Sequence, residues 1–297
     1  MAAGLSVLIP VYNRAVTELI DSLLDQRTDW LGPLEIILLD DGSAEEFRLQ
    51  NRLLAALPGV VYRELPQNVG RAKVRNQLAA ASQHEWLLLL DNDSLLPDQQ
   101  FLARYAEARH QAAVLIGGTC YEATPPADAA LYLRWLYGRE REARPAAVRQ
   151  AALYGQLTIN NALIRADVFR QFPLDERLTG YGHEDTKFGV ELAAAKVPVL
   201  HLDNPVLHDG LEPAAVFLAK SEQAVSNLAQ VYREDGLGAD SRLLQTALQL
   251  RRRGLGALAL TTLYVVASRL RRQLLSAQPR LRNLDLLKLY WLLRELD

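Results

Sequence analysis

Two aspartates flank one asparagine at Asp91-Asn92-Asp93, directly after the run Glu85-Trp86-Leu87-Leu88-Leu89-Leu90. Side chains two apart on an extended backbone point the same way, so both carboxylates can face one spot. Carboxylates this close repel unless a cation sits between or beside them. Three other segments could join that chemistry. Ile9-Pro10-Val11-Tyr12-Asn13-Arg14 offers the flat face of Tyr12 to a base, and Asp40-Asp41-Gly42-Ser43 ends a second apolar run. In Asn68-Val69-Gly70-Arg71-Ala72-Lys73-Val74-Arg75-Asn76 a glycine opens a cation-rich helix start, which suits phosphate oxygens. Singly, each segment also reads as solvated acids at turns or arginines on a helix. Their order and spacing together carry the argument.

The elements that must position these groups alternate along the chain. Residues 6–11, 34–39, 60–64 and 85–90 are short apolar runs that read as strands. Between them, 17–26, 44–57 and 71–82 carry helical spacing. This order predicts a doubly wound, mostly parallel α/β sheet. In such a sheet ligands bind at the carboxyl ends of the strands, where Asp91-Asn92-Asp93 falls. Residues 114–119 and 158–164 read as further strands. The charged, proline-broken stretch 139–145 reads as a solvated loop, with a flap over a substrate as the alternative. Beyond His208 the pattern is helical over 213–233, 241–253, 255–273 and 284–296, with breaks at Gly236, Gly238, Gly254 and Pro279. We therefore expect a catalytic domain over 1–210 and a helical C-terminal extension over 211–297.

Composition narrows the class. With 297 residues, 49% hydrophobic content and a net charge of −2, the chain can form an ordinary core and gives no reason to expect nucleic acid. The single cysteine, Cys120, leaves no internal disulfide framework and no cysteine metal cluster. Met1-Ala2-Ala3-Gly4 lacks a basic signal-peptide region, and no apolar stretch reaches the ~20 residues of a spanning helix. The expected location is the cytoplasm.

The motifs taken together resemble the family 2 glycosyltransferases, which have the GT-A fold. The resemblance runs over 5–210 and also includes Gly180-Tyr181-Gly182-His183-Glu184-Asp185. It implies a nucleotide-sugar donor with UDP as the favoured nucleotide, a divalent metal and inversion at the anomeric carbon. Carried over residue by residue, Pro10, Tyr12 and Arg14 would line the nucleotide pocket, and Asp41 would accept from the base. Asp91, with Asn92 beside it, would hold the ribose or sugar. Asp93 would bind the metal that bridges the diphosphate. Gly70, Arg71 and Arg75 are the diphosphate-side candidates, the two arginines unranked. Asp185 would be the general base, and Glu184 would hold an acceptor or sugar hydroxyl. His208 stands where some members place a further metal ligand, with His201 as its competitor; His183 would only order its loop. An imidazole ligand favours Mn2+ over Mg2+. A glycan or lipid-linked acceptor and a surface-polysaccharide setting follow by the same resemblance. Members often carry a further acid directly after the D-x-D; here it is Ser94.

Rival classes fit less well. A sugar nucleotidyltransferase would place a glycine-rich, basic loop where Pro10-Val11-Tyr12-Asn13-Arg14 stands. A non-catalytic nucleotide-sugar-binding module would not need both Asp93 and Asp185. An oxidoreductase would carry G-x-G-x-x-G after the first strand. In the tail, 254–267 is almost wholly apolar between Arg251-Arg252-Arg253 and Arg269, Arg271 and Arg272, and 284–296 adds Tyr290 and Trp291. These helices read as packing on the catalytic domain or on another subunit, with peripheral docking on a membrane surface as the alternative.

Overall fold

The computed structural model describes residues 3–177, 182, 184–238 and 241–297. Its elements run β1 (Leu5–Val11), α1 (Thr17–Asp25), β2 (Leu34–Asp40), α2 (Glu45–Arg52), β3 (Val60–Glu64), α3 (Arg71–Ala81), β4 (Trp86–Leu90), β5 (Ser94–Leu95) and α4 (Phe101–Ala108). They continue with β6 (Val114–Ile116), β7 (Thr119–Cys120), α5 (Tyr132–Tyr137), α6 (Ala146–Gln150), β8 (Asn161–Arg165), α7 (Ala166–Gln171) and α8 (Glu184–Ala194). The last are β9 (Val199–His201), β10 (Val206–His208), α9 (Ala214–Asp235), α10 (Arg242–Arg252), α11 (Gly256–Leu274) and α12 (Leu281–Leu296). Two compact units form. One contains Met1–Tyr121, Ala143–Thr179 and Glu184–Gly210, the other chiefly Glu122–Glu142 and Leu211–Asp297.

In the first unit the strands are buried on both faces, which is why they are continuous apolar runs. Val7, Ile9, Ile36, Leu38, Leu88 and Leu90 pack with α1 and α4 on one face. Leu8, Ile37, Leu39, Leu87 and Leu89 meet residues of α3, α7 and α8 on the other. The alternation is the period of two of an extended chain. Among the described residues the strands form a seven-stranded sheet in the order β3-β2-β1-β4-β8-β6-β9. It is parallel except at β8, which runs antiparallel to both β4 and β6. The chain winds outward from β1 to β3 and then returns to β4 on the other side of β1. The topological switch point therefore lies between β1 and β4, and a ligand crevice is expected at their carboxyl ends. Pro10 fits this position: the β1–β4 ladder stops at Leu8↔Leu89, so the missing N–H of Pro10 costs no bond on that side.

Two expectations from the sequence need correcting here. The run 114–119 is not one strand, because Gly117 and Gly118 turn the chain out of the large sheet. A Cβ on Gly117 would come within 2.4 Å of the Asn161 side chain, and Gly118 has φ +89°. Beyond the break, β7 joins a small sheet ordered β5-β10-β7. The stretch 139–145 is not a free loop either: Gly138–Glu142 continues α5 as a wide helical turn. Two of its charges are paired within the second unit, Arg141 with Asp285 at 2.9 Å and Glu142 with Arg134 at 3.1 Å. That unit has its own core, in which Leu133 of α5 packs with Phe217, Leu218, Leu228, Leu244, Leu263, Leu284 and Trp291. No helix among the described residues is long and apolar enough to cross a membrane.

Candidate active site at the carboxyl edge of the sheet

The loop after β1 and the loop after β4 meet. Asn92 Nδ2 donates to the Tyr12 carbonyl at 3.1 Å, so Asn92 fastens the two loops. The Tyr12 side chain is left 49% exposed, a flat face available for stacking. Asn13 takes a left-handed conformation (φ +48°) that lets its amide reach Ser43 Oγ at 2.9 Å and its side chain accept from Ala44 N at 2.8 Å. Arg14 forms an ion pair with Asp209 and also donates to the Asp209 carbonyl at 3.0 Å.

The acids at the end of β2 are both buried, and both are occupied. Asp40 accepts from Ser43 N at 2.7 Å and from Tyr62 Oη at 3.0 Å. Asp41 accepts from the amides of Val69 at 2.6 Å and Gly70 at 3.3 Å. Burial pushes the Asp41 carboxyl up, and those two amides pull it back only in part. Asp41 thus sets the turn that starts α3, and a base would have to use its remaining lone pairs. Gly70 has φ +93°, which favours glycine, and it caps α3 without a side-chain bond. The first amides of α3 have no intrahelical acceptor and are available to an anion.

The two arginines of α3 separate clearly. Arg75 is 2% exposed at its side chain and forms an ion pair with Asp91. Arg71 is 39% exposed and bridges two acids, Asp91 at 3.3 Å and Glu184 at 2.9 Å. Each Asp91 oxygen thus meets one guanidinium, with Arg75 as its buried counter-charge. Of the two arginines, Arg71 is the one open to solvent. The same bridge ties the start of α8 to the end of β4. Burial pushes Glu184 up, but Arg71 and Arg75 outweigh it and hold the carboxyl below the usual glutamate range. Asp185, the next residue, goes the other way. Burial first, then the negative charge of Glu184, raises it to about 7 against the pull of Arg75 and Arg71. Among the described residues, Asp185 Oδ1 and Glu184 Oε2 are buried without a hydrogen-bond partner. A buried acceptor left open in this way is a cost unless something donates to it.

Asp93 faces His208 across the small sheet, Oδ1 to Nδ1 at 3.5 Å, in a register fixed by His208↔Ser94 and by Asp209 N donating to the Asp93 carbonyl at 2.8 Å. Burial pushes the Asp93 carboxyl up, but His208, Arg71 and Arg14 together hold it down at about 2. The backbone of Gly210 lies against this carboxylate: a Cβ there would sit 2.4 Å from Asp93 Oδ2. A carboxylate kept ionised beside an imidazole is a donor set that fits a divalent ion. Among the described residues no third such side chain completes the set. His201 is elsewhere engaged: its Nε2 meets the Leu153 carbonyl at 2.8 Å and its Nδ1 meets Arg149 at 2.8 Å. That pairing makes Nε2 the protonated nitrogen, and burial pushes the ring's pKa down. Gly180, Tyr181 and His183 of the motif preceding Asp185 lie outside the described residues.

Sequence reasoning missed two groups at this edge. Asp209 is the ion-pair partner of Arg14, yet the two are 195 positions apart and nothing local announces them. Asn160 sits where β8 begins, its carbonyl accepting from Asp91 N at 3.2 Å and its Nδ2 donating to Thr119 at 2.8 Å. Its Oδ1 is buried with no partner among the described residues. A polar Asn160-Asn161 pair at the start of an apolar run was the available signal.

A sheet of this topology, carrying a D-x-D, a cationic helix start and a buried open carboxylate on one edge, has the GT-A architecture. The chain belongs to glycosyl transferase family 2, whose family model matches residues 6–166. An N-acetylglucosaminyltransferase of Rhizobium leguminosarum bv. phaseoli is 32% identical over 98 residues, 31% of this chain and 22% of that relative. The alignment thus takes in about a fifth of the relative's length. Among solved structures, the mannosyltransferase PcManGT of Pyrobaculum calidifontis in complex with GDP-Man and Mn2+ superposes with a TM-score of 0.59 at 15% identity, over 97% of this chain and 86% of that one. The 1–349 portion of S. aureus TarS in complex with UDP-GlcNAc gives 0.51 at 17% identity, over 98% and 90%.

Proposed function

We propose that the protein is an inverting glycosyltransferase. It moves a sugar from a nucleoside-diphosphate sugar, with a UDP-sugar as the first candidate, to a hydroxyl of a glycan or lipid-linked acceptor. The observation that carries this reading is the split between two carboxylates of one edge: Asp93 held ionised beside His208, and Asp185 raised to about 7 with a buried open oxygen. Titratable groups pushed apart in this way mark a division of labour, one carboxylate kept charged as a ligand and the other able to exchange a proton near neutrality. The neighbours solved with UDP-GlcNAc and with GDP-Man support a nucleotide-sugar donor.

In this reading Tyr12 stacks on the base, and Asp41 accepts from it through a free lone pair. Asn92 holds the β1 and β4 loops at the spacing that the nucleotide needs. The diphosphate lies over the amino end of α3, where Arg71 turns from Glu184 toward it while Arg75 keeps Asp91 fixed. The acceptor hydroxyl gives its proton to Asp185 as its oxygen bonds to the anomeric carbon, contributing roughly 10² to 10⁴ in rate. The bond to the diphosphate breaks on the opposite face, its electron pair leaving with the phosphate oxygen. Arg71 and the α3 amides meet the charge that develops there. Glu184 Oε2 accepts from a sugar or acceptor hydroxyl. Asp93 and His208 would hold a divalent cation, which when bound neutralises the leaving diphosphate. The imidazole favours Mn2+ over Mg2+.

The test is product analysis with a panel of nucleotide sugars, Mn2+, and both soluble and lipid-linked glycan acceptors. Free nucleoside diphosphate together with an extended acceptor is the expected product. Pyrophosphate would identify a nucleotidyltransferase, and binding with no turnover of any donor would identify a binding module.

A further inference from the structure

The second unit carries a charge pattern that the catalytic reading does not use. From Ser241 to Leu284 there is no aspartate or glutamate, and there are nine arginines: 242, 251, 252, 253, 269, 271, 272, 280 and 282. The rest of the chain holds 24 basic residues against 35 acidic ones, so this segment is strongly positive in a protein whose net charge is −2. All nine side chains are exposed. Arginines on a folded surface ordinarily find carboxylates, as Arg141 finds Asp285 of α12 and Arg294 of α12 finds Glu222 of α9. Among the described residues none of the nine has an ion pair. Asp297 lines a cleft with Arg251 but makes no ion pair with it.

The apolar residues of the same segment are exposed in the same place. On α11, Leu258, Tyr264 and Val265 are 66%, 68% and 74% exposed, and Leu255 just before it is 44% exposed. Leu258, Thr261, Thr262, Val265, Arg269 and Arg272 follow one another at helical spacing. One outward stripe therefore begins aliphatic and ends basic, with Arg251, Arg252 and Arg253 at its other end. Inward-facing Leu263, Leu270 and Leu274 supply the packing, so the outward aliphatic side chains are not needed for the core.

We propose that the outward face of α11, with the arginine clusters that bracket it, docks on an anionic phospholipid surface. The aliphatic and aromatic side chains enter the acyl boundary, and the guanidiniums meet the headgroup phosphates. Nucleic acid would match the arginines but not the aliphatic stripe. A second copy of the chain would bring the same unpaired positive charge against itself. The helix lies in the plane of the surface and does not span it, in keeping with its length and its arginines. This inference stands apart from the donor reading and would survive its failure.

The full-length protein is to be sedimented with vesicles of phosphatidylcholine alone and of phosphatidylcholine with phosphatidylglycerol, at low and high salt. The expected result is partition to the anionic vesicles, weakened by salt. The triple variant Arg269→Gln, Arg271→Gln, Arg272→Gln should bind them on the order of 100-fold more weakly. The pair Leu258→Asn and Val265→Asn should also lose binding while melting at the wild-type temperature, because both side chains are outside the core. Equal partition to neutral and anionic vesicles overturns the proposal. So does a protein that stays in the supernatant throughout, including one that forms a concentration-dependent dimer through this face in analytical ultracentrifugation.

Discussion

Burial raises the carboxyls of both Asp93 and Asp185, but Asp93 has His208, Arg71 and Arg14 beside it to reverse the effect, whereas Asp185 has Glu184 to add to it. If Asp185 is the base, Asp185→Asn should lower kcat by roughly 10² to 10⁴, and wild-type kcat/KM should fall below a pH of about 7 as the carboxylate takes up its proton. The same shift has a sign for stability. The folded pKa lies above the ordinary aspartate value, so the group's contribution is fully present below that value and is lost as pH rises through about 7. Asp185→Asn should therefore melt a few degrees higher than wild type at pH 8, with the gap narrowing toward pH 5, read by thermal melts across pH. The two histidines should part in the same way. His208→Ala should weaken Mn2+ dependence and leave the melt nearly unchanged. His201→Ala leaves Arg149 its four backbone carbonyl acceptors but takes the donor from the half-buried Leu153 carbonyl, and should cost roughly 1 to 3 kcal/mol, with the metal dependence of the folded fraction intact. Sequence alone ranked His208 ahead of His201 by its distance past Asp185. What it could not supply was the Arg149 contact, made across 52 positions.

At the scale of elements, α3 and β10 carry the geometry. Arg75→Met removes the buried counter-charge of Asp91 and should destabilise the protein by roughly 3 kcal/mol in denaturant titration. Arg71→Met, at a half-exposed site, should cost much less stability and lose more donor affinity. Gly210→Ala tests the approach of the chain after β10 to the D-x-D. Its new methyl must push the Asp93 carboxylate aside, so Mn2+ affinity should fall at least about tenfold while the fold persists. The strands β1 to β4 were legible to within about a residue because burial on both faces writes an unbroken apolar run between polar ends, whereas β6 was read too long and β9 went unread. Asp91-Asn92-Asp93 and Glu184-Asp185 stood out only together with the other motifs, because acids after a strand or at a helix start have ordinary structural explanations. The ranking of Arg71 and Arg75 was not legible. Both lie on one helix face, and only the position of Asp91 between them decides which is sealed. The helix Phe101–Ala108 carried an apolar spacing in Phe101, Leu102, Tyr105 and Ala108 that went unread.

For the molecule as a whole, the expected boundary near Gly210 describes the sequence texture, but the segment Glu122–Glu142 groups with the C-terminal helices. Leu133 lies in their core, and Tyr137 stacks near Phe217 at 5.1 Å and beneath Lys288. No local pattern in a charged, proline-broken stretch could announce partners that far down the chain. A fragment ending at Gly210 would leave α5 bare, and it should aggregate in size-exclusion chromatography. Replacing 122–142 by a short Gly-Ser linker in that fragment should recover a soluble species with a cooperative melt. The central claim, that one edge of the sheet holds a donor pole at Asp93 and a base at Asp185, is tested most directly by calorimetric titration of UDP and GDP into the full-length protein with Mn2+. The account predicts binding of one nucleotide to wild type, unchanged within about twofold in Asp185→Asn and lost in Asp93→Ala. Loss of affinity in Asp185→Asn as severe as in Asp93→Ala would contradict it.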